Sequence, residues 1–179
     1  MIVLGIDPGS QITGYGFIEV DEVGEHLIDY GIISLRDKKT HQLRLNSVFS
    51  ELTLLIRRHL PDSCAVEMPV YGKNPQSMLK LGRVQAAAML AALQKEIPVV
   101  EYTPKEVKKA VTGNGNASKE QVRYMVRSML GIAENAELGL DSSDALAVSL
   151  CHAFRYHSKE SANHSSWSKF VRENPDRIR

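Results

Sequence analysis

The sequence predicts an α/β domain in which helices cover both faces of a mixed five-stranded sheet. Short apolar runs bounded by turn formers predict strands at 1–7, 13–20, 25–34, 63–67 and 98–102. The first three strands follow one another closely, which is typical of an antiparallel meander, whereas the last two alternate with helical segments. The two patterns together indicate three layers, with the sheet between two layers of helices.

The helices are predicted from apolar residues at helical spacing and from their start signals. They cover 41–59, 74–95, a short segment from 103, 119–130 and 142–157. Asn74-Pro75 and Thr103-Pro104 each place a capping side chain before a first-turn proline. Ser118 and Gln121 form a capping-box pattern, so the helix at 119–130 has a defined start.

Length and composition fit a single domain. A chain of 179 residues buries about 70% of its unfolded surface. We expect the domain to occupy 1–157 and the polar segment 158–179 to form a mobile tail. No stretch has the length and apolarity of a membrane span and no secretory signal is recognisable, so we expect a cytoplasmic protein. Cys64 and Cys151 lie in apolar segments, which favours buried thiols over a disulfide.

Four acidic residues stand where apolar segments meet turns. Asp7 follows the first strand and Glu67 follows the fourth. Asp141 and Asp144 are three residues apart and share one face in the first turn of the last helix. If these ends converge, the repulsion among four carboxylates is relieved by protons or by divalent cations. Oxygen donors favour Mg²⁺, with Mn²⁺ as a substitute, and two such ions about 4 Å apart hydrolyse phosphodiesters without a protein nucleophile.

Three of these acids also have a structural explanation. Asp7 precedes Pro8-Gly9 and could cap that turn. Asp141 could be the N-cap of the last helix, and Asp144 could be a favourable charge in its first turn. Glu67 has no comparable role, because glutamate is not a turn former and the residues before it are apolar. The set is therefore harder to explain structurally than its single members.

Seven segments combine these acids with lysines and turn formers. In chain order they are Gly5-Ile6-Asp7-Pro8-Gly9, the loop at Glu67, Lys73-Asn74-Pro75-Gln76-Ser77, Leu79-Lys80-Leu81-Gly82, Val107-Lys108-Lys109, Ala117 to Val122 and Asp141 to Ala147. Taken together over roughly residues 1–155, the segments resemble the RuvC family of bacterial Holliday-junction resolvases.

The resemblance implies a ribonuclease H-like fold and a magnesium-dependent endonuclease. It also implies a homodimer that nicks two opposed strands of a four-way DNA junction during recombination and repair, with the RuvA–RuvB branch-migration complex as a partner. By position, the catalytic, metal-binding acids of the family fall on the four carboxylates named above. Its phosphate-contacting lysines fall on Lys108 and Lys119.

One position departs from the family pattern. Many members carry a phenylalanine three residues beyond the catalytic glutamate, where it wedges into the core of the junction. This chain has Val70 at that position, and Tyr71 is the nearest aromatic residue. Tyr71 either takes over the stacking role or only anchors its own loop.

The net charge of +1 hides an uneven distribution. Residues 73–127 carry 10 basic and 4 acidic side chains, whereas residues 1–72 carry 6 basic and 10 acidic ones. We expect the basic third to approach the phosphate backbone of DNA. The predicted DNA contacts are Tyr71, Lys73, Lys80, Arg83, Lys108 and Lys119. The pair Arg123 and Arg127 is instead predicted to lie on a solvated helix face.

Other functions stay open from the sequence alone. The segment from Gly5 to Ser10 also resembles the first phosphate loop of actin-like ATPases and sugar kinases, but those proteins pair two such domains and this chain has room for one. A non-catalytic DNA-binding module would not need Glu67 or the two late aspartates. A ribonuclease H-like enzyme acting on RNA would differ only in its substrate.

Two further features are interpreted as packing features of the core or of a dimer. His152 lies about 12 Å along the helix from Asp144, too far to share a metal ion, and is predicted to be structural or dimer-facing. Gly82, Ala86 and Ala87 permit another helix to approach closely, from either the core or a partner subunit.

Overall fold

The computed structural model describes residues 1–69 and 74–164, and within them the predicted strands and helices follow in the predicted order. The strands are β1 (Ile2–Asp7), β2 (Ile12–Val20), β3 (Glu25–Ser34), β4 (Ser63–Glu67) and β5 (Val99–Tyr102). The helices are α1 (His41–His59), α2 (Pro75–Leu93), α3 (Pro104–Thr112), α4 (Lys119–Met129) and α5 (Leu140–His164).

The strands form one mixed sheet in the order β3-β2-β1-β4-β5. β1 to β3 pair antiparallel, whereas β4 pairs parallel to both β1 and β5. The predicted five-stranded mixed sheet is therefore confirmed. The parallel pairing matters for function, because it places the carboxyl ends of β1 and β4 at the same edge of the sheet.

Helices cover both faces of the sheet, and two apolar cores result. On one face α1 and α2 pack on β1 and β2, where Leu4, Ile6 and Phe17 are fully buried. On the other face α3, α4 and α5 pack against Val3 and Ile18. The alternation of Val3 and Leu4 between the two cores follows from the pleat of the strand. The predicted three-layer α/β/α architecture is confirmed.

The last helix differs from its predicted bounds. It begins at Leu140 rather than 142 and continues to His164 rather than 157. Lysine, glutamate, serine and alanine after 157 are compatible with a helix, so polarity alone did not mark its end. The first part of the predicted tail thus belongs to α5, and 165–179 lie outside the described residues. The division into a domain at 1–157 and a mobile tail stays a prediction.

The two cysteines are free and buried, as predicted. None of the helices in the described part of the chain combines the length and the apolarity needed to cross a membrane.

Candidate active site

The parallel pairing of β1 and β4 brings the first two predicted acids together. Ile6 is paired with Val66. The next residues, Asp7 and Glu67, therefore leave neighbouring strands side by side at the same edge of the sheet. Both are partly buried. The apolar strands that precede them fix their backbones, so their positions follow from the fold.

A close approach of α5 to the sheet brings in the other two acids. A Cβ atom on Gly14 would lie 2.1 Å from the carbonyl oxygen of Asp141, and one on Gly5 would lie 2.2 Å from that of Ala145. The missing side chains let the first turns of α5 rest directly on the strands. Because Gly14 is paired with Asp7, the start of α5 stands beside the first acid. Asp141 lies within this first turn, so it is not the N-cap of the helix.

The acids perturb one another strongly. Burial and the charge of Asp144 raise the pKa of Asp7 from 3.8 to about 7. Burial and the charges of Asp7 and Asp144 raise the pKa of Glu67 from 4.5 to about 8. Burial also raises the pKa of Asp144, although a hydrogen bond from Lys119 opposes the shift. At neutral pH this cluster therefore holds protons unless positive charge enters it.

Two lysines supply positive charge from the α3 and α4 side. Lys119 Nζ donates a hydrogen bond to Asp144 Oδ2. Ser118 caps α4 in the predicted capping box, which projects Lys119 from the first turn of the helix. Lys108 Nζ donates to the carbonyl oxygen of Ala117 at 2.7 Å, and its charge lowers the pKa of Glu67. Both lysines therefore act on the same carboxylates.

The donor set suits a hard divalent cation. Carboxylate oxygens are the ligands that Mg²⁺ and Mn²⁺ prefer. Burial first, and then repulsion by the neighbouring acids, raises the pKa values of Asp7 and Glu67, and a cation in the cluster would oppose both effects. Among the described residues no three acidic, histidine or cysteine side chains already stand as a closed ligand set. One oxygen of Asp144 instead binds Lys119. The fit to a cation therefore rests on the chemistry and charge of the donors.

The remaining predicted DNA contacts divide into two groups. Lys80 and Arg83 are exposed on the first half of α2, on the opposite face of the sheet from Lys108 and Lys119. The predicted contacts Tyr71 and Lys73, and with them the question of the wedge at Val70, lie outside the described residues.

Arg127 was predicted to lie on a solvated helix face, and this prediction is wrong. Its guanidinium donates to the carbonyl oxygens of Ala133 and Ala136, the latter at 3.0 Å. The hydroxyl of Tyr30 donates to the carbonyl oxygen of Glu137 at 3.2 Å. These bonds tie down the loop that leads into Asp141. Arginine spacing carries no signal for them, because the acceptors are backbone atoms of an irregular segment.

The turn after Asp7 is held in a comparable way, by hydrogen bonds from an arginine side chain to backbone carbonyl oxygens. Arg44 of α1 donates from Nη1 to the carbonyl oxygen of Ser10 at 3.0 Å and from Nε to that of Lys38 at 3.3 Å. No sequence pattern indicated this contact, which joins residues 34 positions apart. It fixes the turn from the α1 side of the sheet.

His152 is structural within the described residues. Its Nε2 atom lies 2.8 Å from Ser63 Oγ and its Nδ1 atom 2.9 Å from the hydroxyl of Tyr102. The ring is buried and joins α5 to β4 and β5. Of the two predicted roles, structural or dimer-facing, these contacts support the structural one.

Comparison with known proteins gives one consistent family. The sequence profile of the family described as "Crossover junction endodeoxyribonuclease RuvC" matches residues 3–152. The chain is 52% identical over 178 residues to the crossover junction endodeoxyribonuclease RuvC of Salinibacter ruber, with 99% of each chain covered.

Solved structures of another relative agree with this family. The RuvC structure of Thermus thermophilus is 31% identical and superposes with a TM-score of 0.79 over 89% of this chain and 97% of its own. The T. thermophilus RuvC in complex with a Holliday junction substrate gives 29% identity and a TM-score of 0.77, over 88% of this chain and 96% of its own.

Proposed function

The chain belongs to the RuvC family of crossover junction endodeoxyribonucleases, and we propose from this premise that it resolves four-way (Holliday) DNA junctions by paired, symmetric phosphodiester hydrolysis during recombination and repair. The observation that carries the proposal is the convergence of five elements on one edge of the sheet. Acids end β1 and β4, two more open α5, and lysines from α3 and α4 stand beside them. This arrangement suits a negatively charged phosphodiester with a cation between it and the acids.

We propose that Asp7, Glu67, Asp141 and Asp144 hold Mg²⁺, two ions for each site, with Mn²⁺ able to substitute. When bound, these cations would activate the attacking water and offset charge on the leaving oxygen. The carboxylates would then be ionised, because positive charge at this place lowers the pKa values that burial has raised. Loading of the site therefore releases protons near neutral pH.

The lysines have a separate role in the proposal. Lys119 is 52% exposed at its side chain although it touches Asp144, which is 12% exposed. A side chain placed in this way can turn its ammonium toward an incoming phosphate without leaving the site. Lys108 is held beside the start of α4 by its bond to Ala117. We propose that the two lysines hold the phosphates that flank the scissile bond.

We propose that DNA also contacts the exposed Lys80 and Arg83, and that Tyr71 and Lys73 of the neighbouring loop contact it as well. Phosphate contacts of this kind add affinity without reading sequence. The RuvA–RuvB branch-migration complex is proposed as a partner in the cytoplasm on family grounds alone.

Symmetric cutting requires two sites, and we propose a homodimer that forms through α2. Leu79, Leu90 and Leu93 of this helix are each about half exposed, at 57%, 52% and 49%. Together with Gly82 and Ala86 they recur every three or four residues and make one apolar stripe. A groove of about 660 Å³ runs beside Leu79, Gly82 and Ala86, and a Cβ on Gly82 would meet nothing within 4 Å.

The open space at Gly82 suits a second copy of the helix related by a two-fold axis. Molar mass in solution tests this proposal. Ala86→Glu, which would put a charge into the stripe, is expected to give a monomer that still folds. A wild-type protein that is monomeric at micromolar concentration would contradict the dimer.

The deciding experiment is cleavage of a synthetic four-way DNA junction with a mobile homologous core, each strand labelled in turn, with and without Mg²⁺. Paired, metal-dependent nicks at symmetric positions are expected. Equal cutting of linear duplex would contradict selectivity for junctions, and preferential cutting of RNA would favour a different ribonuclease H-like activity.

A further inference from the structure

The last residues of β4 and β5 lie side by side at the edge of the sheet that carries the acids. Glu67 is paired with Tyr102 in the parallel register, and the backbone N–H of Met68 donates to the carbonyl oxygen of Tyr102 at 2.8 Å. β5 is a four-residue strand at the side of the sheet, and such a strand is bonded to one neighbour instead of two. The position of Glu67 therefore depends on what holds Tyr102.

The side chain of Tyr102 is held by two residues of α5. Its hydroxyl lies 2.9 Å from His152 Nδ1, and the guanidinium of Arg155 stands 5.2 Å from the centre of its ring. His152 and Arg155 are three residues apart, which puts them on the same face of the helix. Arg155 also donates to Glu106 Oε1 at 2.7 Å. The helix thus holds both the hydroxyl and the face of the tyrosine ring.

The ring of His152 extends this contact to the other end of β4. Its Nε2 atom lies 2.8 Å from Ser63 Oγ, four residues before Glu67, and the side chains of Ser63, Tyr102 and His152 are all buried. Burial raises the pKa of Tyr102 to about 12, so the hydroxyl keeps its proton and can donate to the imidazole. A buried network with every member satisfied is rigid, and removal of one partner leaves another unsatisfied.

Glu67 lies on the face of the sheet that α5 covers. Ala65 belongs to the core beneath α5, and Glu67, two residues further along the strand, shares that face. Burial raises the pKa of the Cys151 thiol to about 11, and the charge of Glu67 adds to the shift. Because Cys151 directly precedes His152, the carboxylate and the network are close neighbours.

We propose that Tyr102 and His152 are positioning residues for Glu67: the imidazole fixes the end of β5 against α5, and β5 in turn fixes the end of β4 and its carboxylate. The inference rests on the proposed function and deepens it. Asp141 and Asp144 stand at the start of the same helix. One rigid element would then set the relative positions of three of the four carboxylates.

The test uses Tyr102→Phe in the full chain, which keeps the ring and removes the hydroxyl. Amide hydrogen exchange without metal reports on the end of β4 directly. The N–H of Met68 is expected to exchange at least about fivefold faster relative to amides in the middle of β1, the effect of one lost buried hydrogen bond on local opening. The Mg²⁺ concentration for half-maximal cutting is expected to rise severalfold, whereas junction affinity without metal stays that of the wild type.

The matched control is Ser149→Ala, which removes a buried hydroxyl of the same helix that donates to the carbonyl oxygen of Leu146 at 2.8 Å. It is expected to change neither the relative exchange at Met68 nor the Mg²⁺ dependence. Ser63→Ala removes the other partner of His152 and is expected to accelerate exchange at Met68 less than Tyr102→Phe does. Unchanged exchange at Met68 in Ser63→Ala would contradict transmission through the imidazole.

A purely structural role of the network has a different outcome. Tyr102→Phe would then lower the Tm while the relative exchange at Met68 or the Mg²⁺ dependence stayed that of the wild type, and either result would overturn the proposal. Failure of the proposed function is seen separately, because it appears as a wild-type protein that does not cut the junction. Exchange at Met68 needs neither metal nor DNA and decides the link to Glu67 in both cases.

Discussion

Lys119, in the first turn of α4, donates a hydrogen bond to Asp144 of α5. The carboxylate cluster that contains Asp144 is completed by the acids at the ends of two strands. The charge of Lys119 lowers the pKa values of Asp7, Glu67 and Asp144. The lysine is thus a partial counter-ion for the acids. On the proposed metal assignment, a divalent cation would compete with this ammonium for the same oxygen of Asp144, and metal loading would then be linked to release of the lysine.

Replacing Lys119 should separate metal binding from catalysis. Lys119→Gln removes one positive charge that repels any cation entering the cluster. The repulsion is larger for a divalent cation than for a proton, so its loss favours Mg²⁺ over protons. At pH 8.5 we therefore expect half-maximal loading at a lower Mg²⁺ concentration. Cutting at saturating Mg²⁺ should fall by about tenfold or more, because the phosphate loses a charged contact. Calorimetry gives the first quantity and single-turnover cleavage the second. Arg123→Gln, one turn further along α4, is the control, and weaker Mg²⁺ binding by Lys119→Gln would contradict the competition.

Each carboxylate should be needed for cutting but not for binding. Asp7→Asn, Glu67→Gln, Asp141→Asn and Asp144→Asn keep the shape of the side chain and remove its charge, so we expect cutting to fall by at least about a hundredfold, as when one electrostatic stabiliser is lost. Junction affinity without metal should stay level or rise, since less negative charge faces the DNA. Affinity and cutting are to be measured on the same preparations. A loss of binding equal to the loss of cutting would contradict a catalytic role.

The same acids should make the metal-free protein less stable as pH rises. The pKa of Asp7 is raised from 3.8 to about 7 and that of Glu67 from 4.5 to about 8, so between about pH 4 and 8 the folded chain binds more protons than the unfolded chain. The free energy of unfolding therefore falls through this window and levels off above it. Asp7→Asn removes one of these groups and is expected to raise the Tm at pH 8 by at least ~2 °C, the shift that about 1 kcal/mol produces in a chain of this size.

Asp21→Asn is the matched control for this effect. Hydrogen bonds from the backbone N–H groups of Val23 and Gly24 lower the pKa of Asp21, so loss of its charge is not expected to raise the Tm. Saturating Mg²⁺ should abolish the advantage of Asp7→Asn by stabilising the wild type. A Tm of the metal-free wild type that rises steadily from pH 5 to pH 8 would contradict the predicted sign.

The positions of the acids at the ends of apolar segments could be predicted from the sequence. The hydrogen bonds that hold the neighbouring loops could not. Asp7 and Glu67 each end an apolar run, and strand ends are visible in composition. Arg127 and Arg44 bind backbone carbonyl oxygens of irregular segments, and no residue spacing reports which carbonyl faces a given guanidinium. The end of α5 was also misjudged, because the polar residues after 157 are compatible with both a helix and a tail.

Gly14 should be needed for the position of α5. A Cβ there would lie 2.1 Å from the carbonyl oxygen of Asp141, so Gly14→Ala must push the helix start away from Asp7 or distort β2. We expect cutting to fall by about a hundredfold, consistent with the effect of a displacement of about 1 Å in a catalytic site. In Gly139→Ala the added Cβ would only touch Ser142 Oγ at 3.6 Å, and its activity should stay near that of the wild type. Equal effects of the two substitutions would contradict the close-approach explanation.

Arg127 should act on the metal site by positioning Asp141, since it binds two carbonyl oxygens of the loop that precedes α5. Lysine cannot span both acceptors, so Arg127→Lys should loosen the loop and raise the Mg²⁺ concentration for half-maximal cutting severalfold, while junction binding without metal is unchanged. Arg123→Lys on the same helix is the control. A role confined to stability would lower the Tm without moving the Mg²⁺ dependence, which is the result that would contradict positioning.

Tyr30 gives an independent check on the same mechanism, because its hydroxyl reaches Glu137 of that loop from β3, a different element from the helix that carries Arg127. If the loop controls Asp141, Tyr30→Phe must shift the Mg²⁺ dependence in the same direction as Arg127→Lys. The effect should be smaller, since a neutral hydrogen bond contributes about half as much as a charged one. The double variant should then shift further than either single variant, because each bond restrains a different carbonyl of one segment. A shift with Arg127→Lys alone would contradict control by the loop, because both bonds restrain the same segment.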